Sequence, residues 1–102
     1  MNWKSALLFS IALAWIAPQQ ARADAAAGAR LAGQWCVNCH VINGSGPALT
    51  IPQGPPSFRI VAGHLDPGQI RAFLTRPHGA MPDLGLTRAD IDDLIAYIEG
   101  LK

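Results

Sequence analysis

The chain is 102 residues long, with eight lysines and arginines against seven aspartates and glutamates and a formal charge of +1. So balanced a composition offers no basic surface for nucleic acid, and the length leaves room for one small domain. A domain of this size buries a modest core and commonly needs a staple, such as a disulfide, a metal or a cofactor.

The first residues read as a secretory leader. Lys4 precedes an uncharged apolar run from Ala6 to Ala17, and a polar stretch then ends in Ala21-Arg22-Ala23. Small residues at the last and third-last positions suit signal peptidase, so residues 1–23 are expected to be removed and residues 24–102 to form the domain. The run is 12 residues long, whereas a helix needs about 20 to cross a bilayer. Cleavage before Asp24 would remove Lys4 and Arg22 and leave a formal charge of −1.

A first helix is expected from about Asp24 to Trp35. Alanines favour it, Leu31 and Trp35 share a face, and Gly28 and Gly33 weaken it in isolation, so it needs close packing.

Next comes CVNCH, residues 36–40, with both cysteines of the chain and a histidine directly after the second. A disulfide across so short a loop gains little entropy. A thioredoxin-like dithiol needs a βαβ setting, and no run alternates long enough for a strand. Zinc wants four ligands, and adjacent Cys39 and His40 are ill placed to share one tetrahedral ion. Covalent haem uses every residue of the motif: each thiol adds across one vinyl group, and His40 comes to lie under the ring as an iron ligand. Export agrees, because this attachment takes place outside the cytoplasm.

Residues 43–58 hold four prolines and three glycines and read as loop. Asp66 then suits an N-cap, with Pro67 in the first turn, and Ile70, Phe73 and Leu74 follow at helical spacing until Pro77 stops the helix. The segment HGAMPDLGLT supplies Met81, the one methionine left after the leader is removed. It is the first candidate for the second axial ligand, with His64 and His78 as the alternatives. Gly79 permits a tight turn before Met81, and Pro82 stiffens the chain after it. The last helix begins at Thr87, which pairs with Asp90 as a capping box, and Ile91, Leu94, Ile95, Ile98 and Leu101 form its apolar face.

With CVNCH, the proline-rich loop, Met81-Pro82 and a C-terminal helix bearing Tyr97 in this order, the sequence resembles a small monohaem class I cytochrome c of the bacterial, periplasmic type. The resemblance covers the whole of residues 24–102. It implies an all-α fold of three to four helices around one covalent haem c, with the first and last helices crossing where Gly28 meets Tyr97. Ala32 departs from the aromatic that many members carry there. The resemblance further implies Cys36 and Cys39 as attachment points and His40 and Met81 as iron ligands. It also implies a proline carbonyl bonded to the other ring nitrogen of His40. Pro47 is the candidate, with Pro55 and Pro56 as alternatives. Trp35, Phe58, Phe73 and Leu84 are candidate walls of the haem pocket, and Arg59 and Arg76 candidate partners for propionates.

The function implied is electron carriage, without catalysis, by a monomer exported to the periplasm. Its partners would be redox proteins: a dehydrogenase, a bc-type complex or a terminal oxidase. Two other readings remain open: an electron-entry subunit of a larger oxidoreductase, and a haem peroxidase or gas sensor in which Met81 leaves the iron.

Overall fold

The computed structural model describes residues 22–43 and 54–102, so Pro47 and all of the leader but Arg22 and Ala23 lie outside the described residues. Four helices follow in order: α1 (Ala25–Trp35), α2 (Phe58–His64), α3 (Pro67–Thr75) and α4 (Arg88–Glu99). No strand forms among the described residues, and the fold is all-α.

Each helix starts where a side chain takes up its unpaired amides. The Asp24 carboxylate accepts from Ala26 N and Ala27 N. Ser57 Oγ accepts from Ile60 N. Asp66 and Gln69 form a reciprocal capping box on α3, and Thr87 and Asp90 form another on α4. Helix α2 makes up the fourth of the three to four helices that the resemblance implied, and it is not among the three placed along the sequence. It has seven residues, too few for periodicity to stand out after a proline pair, and only its Ser57 cap marks it.

Helices α1 and α4 cross, and this is the main contact between helices. Gly28 and Ala32, four apart, form the buried stripe of α1. A β-carbon at position 28 would overlap the Asp93 carbonyl oxygen and stand 2.9 Å from Tyr97 Cβ. The expected meeting of Gly28 with Tyr97 is therefore present. The small Ala32 is fully buried there. This choice of stripe turns Trp35 outward, 56% exposed, so it does not join the core as its spacing from Leu31 suggested.

On α4, Ile91, Leu94, Ile95 and Ile98 are buried, and they form one core with Phe58 and Ala62 of α2 and Ile70 of α3. Leu101 packs against this core from just beyond the helix end. Burying each such aliphatic side chain contributes about 1.5–3 kcal/mol. No helix of the described residues is long and apolar enough to cross a membrane.

Candidate functional site

After α1 the chain makes one more turn. Cys36 N donates to Ala32 O at 2.9 Å, and Cys39 N and His40 N donate to Cys36 O at 3.1 and 2.9 Å. That turn sets Cys36 and His40 four residues apart on one side. Both line a cavity of about 320 Å³. Cys39 is exposed, outside the cavity wall, and the two thiols are unbridged. Burial pushes the Cys36 thiol above its ordinary pKa, so it carries its proton at neutral pH.

A backbone bond joins the segment after the motif to the start of α2: Phe58 N donates to Val41 O at 2.9 Å. This brings the Pro56 carbonyl to the His40 ring, where Nδ1–H donates to it at 2.6 Å. A carbonyl can only accept, so Nδ1 carries a proton, and in the neutral ring Nε2 is the nitrogen with the lone pair. Pro56, rather than the first candidate Pro47, is the acceptor in this structure. Phe58 packs beside the same imidazole with ring centroids 5.4 Å apart. Tyr97 meets Phe58 edge-on and donates its hydroxyl to Ile42 O at 2.6 Å. Thus α4 reaches the segment just after the motif, through a bond that sequence reading did not foresee.

The rest of the wall comes from α2, α3, α4 and the loop before α4. Phe58, Ile70, Phe73 and Leu74 supply apolar surface, and Met81 lies among them. Of the four expected wall residues, Phe58 and Phe73 are on the cavity, while Trp35 and Leu84 are not. Trp35 is turned out by the α1–α4 crossing, and Leu84 stands beyond the turn that carries Met81.

His64 and His78 also line the cavity. His64 is the last residue of α2, and its Nδ1–H donates to Ile60 O at 2.9 Å. The His78 ring packs on Phe73 at 4.5 Å. Met81 N donates to His78 O at 3.1 Å, and Gly79, at φ 56°, supplies the left-handed residue between them.

These residues fit a covalent haem. The wall is apolar, the Cys36 thiol lies on it, and His40, also on the wall, has Nδ1 taken up by Pro56 O, which leaves Nε2 as its ring nitrogen for a ligand bond. Among the described residues no three His, Cys, Asp or Glu side chains gather to hold a bare metal ion.

A family model described as cytochrome C oxidase, cbb3-type, subunit III matches residues 23–98. Cytochrome c-552 of Bradyrhizobium diazoefficiens is 41% identical over 83 residues, covering 78% of this chain and 77% of that protein. No solved structure matches the chain. The helical fold, the motif and these two similarities converge: the chain belongs to the cytochrome c family, as an electron-transfer protein that carries haem c, with its iron, on covalent bonds.

Proposed function

We propose that this protein is an exported electron carrier whose haem is held by Cys36 and Cys39 and ligated by His40 and Met81. The observation that carries the reading is the placement of Cys36, His40 and Met81 on one apolar cavity. The haem supplies a one-electron couple at its iron.

The chain does the rest. His40 presents Nε2, because Pro56 O engages Nδ1–H and orients the ring. Met81 offers a neutral thioether, a weaker donor to ferric iron than imidazole, and so favours the reduced state. With His40 and Met81 both holding the iron, no site would remain open for a substrate, which argues for carriage over catalysis. Apolar walls exclude water and limit rearrangement when the charge changes.

The family description names a terminal oxidase subunit, and this supports redox partners at a membrane outside the cytoplasm. Residues 1–23 would direct the export and then be removed. The matched segment starts at residue 23, one residue short of the expected first residue of the mature chain, Asp24.

The deciding measurement is the spectrum of protein purified from the periplasm. The ferric form is expected to show a sulfur-to-iron charge-transfer band, and Met81→Ala to abolish it while covalent haem is retained. A band that survives in Met81→Ala, or never appears in the parent protein, rules out Met81 as ligand.

A further inference from the structure

Met81 sits in a segment between two helices, with no helix of its own to hold it. Ordering such a segment costs about 1–2 kcal/mol per residue in backbone entropy, so something must restrain it if the thioether is to stay at one place on the cavity. The contacts identify the restraint. The His78 ring packs on Phe73, with centroids 4.5 Å apart and planes at 57°. Phe73 belongs to α3, which is anchored through the buried Ile70. At the other end of the same residue, the His78 carbonyl accepts from Met81 N at 3.1 Å. The turn between them is closed by Gly79 at φ 56°. His78 therefore fastens by its side chain to α3 and by its main chain to Met81.

The geometry points to His78 as a positioning residue that holds Met81 at the cavity through its ring contact with Phe73, and not as an iron ligand. This rests on the reading of Met81 as the axial ligand. The main-chain bond to Met81 survives any substitution at 78, whereas the ring contact does not. Loss of the ring increases the fraction of molecules in which the Met81 sulfur is away from the cavity. An added nitrogen ligand then binds with an apparent affinity that rises in proportion to that fraction.

The test is a titration of the ferric holoprotein with imidazole, followed by loss of the sulfur-to-iron band. His78→Ala is expected to tighten the apparent Kd by about two- to tenfold, the worth of one lost ring pair. His78→Phe, which restores a ring without ligating nitrogen, is expected to return the Kd to the parent value. In a Phe73→Leu background, His78→Ala is expected to add almost nothing. A merely structural role would lower Tm without the rescue by Phe or the dependence on Phe73.

An unchanged Kd in His78→Ala, or no rescue by Phe, overturns the inference while the band of the parent protein still upholds Met81. Loss of the band in His78→Phe overturns it, because a ring at position 78 then does not keep the Met81 sulfur at the iron. Absence of the band from the parent protein, or its persistence in Met81→Ala, removes the ligand reading and this inference with it.

Discussion

Tyr97 shows how one side chain serves two parts of the molecule. Its β-carbon lies against Gly28 at the helix crossing, its ring meets Phe58, and its hydroxyl reaches Ile42 O at 2.6 Å. The ring is therefore one link between the crossing and the segment that carries the haem motif. Tyr97→Phe keeps the ring and removes the bond, leaving a partly buried carbonyl without this donor. The expected cost is about 1 kcal/mol in denaturant unfolding of the holoprotein. His40 is organised in the same way, with Nδ1–H on Pro56 O and Phe58 beside the ring. Neither partner is near it in sequence, and both arrive because Phe58 N pairs with Val41 O.

At the scale of elements, the α1–α4 crossing depends on a missing side chain. The atom that a β-carbon at Gly28 would strike is backbone, the Asp93 carbonyl oxygen, so no rotamer change relieves the overlap. Gly28→Ala is expected to push the helices apart and cost about 3 kcal/mol, a lower Tm with haem still attached. The same crossing meets the start of the proposed mature chain. Asp24 N donates to Asp93 Oδ1 at 2.8 Å. With residues 1–23 removed, this nitrogen becomes the terminal ammonium, and the bond gains charge assistance. The pair is exposed, so Asp93→Asn is expected to cost less than about 1 kcal/mol. In protein that keeps its leader the cost should be smaller still. Intact mass identifies each form, and denaturant unfolding of both measures the difference.

For the whole molecule, the haem cavity is large relative to the core around it. At about 24 cal/mol per Å³ of closed cavity, an unfilled volume of about 320 Å³ corresponds to about 8 kcal/mol at most. A small domain is stable by only about 5–15 kcal/mol in total. The haem is therefore a structural part of the fold as well as its redox centre. Cys36→Ala combined with Cys39→Ala is expected to give protein without covalent haem, read by haem staining after denaturing electrophoresis. Its cooperative thermal transition, followed by far-ultraviolet circular dichroism, should be lost or strongly lowered. Normal staining of the double variant would contradict the attachment assigned to these cysteines.

Helix α4 was legible in the sequence almost residue by residue, because Thr87, Asp90 and the spacing of Ile91, Leu94, Ile95 and Ile98 are local signals. Asp66 and Pro67 marked the start of α3 for the same reason, and the spacing of CVNCH, its histidine and the leader together pointed to covalent haem. Gly28 and Tyr97 were paired by family resemblance, and the crossing bears the pairing out. Helix α2 escaped, since seven residues carry too little periodicity. The choice of Pro56 over Pro47, the outward turn of Trp35, and the arrival of His64 and His78 on the cavity with Met81 were decided by tertiary structure. Each depends on how one helix lies against another, or on a backbone bond between residues far apart in the sequence. Such contacts join residues far apart in the chain, and local propensity holds no information about them.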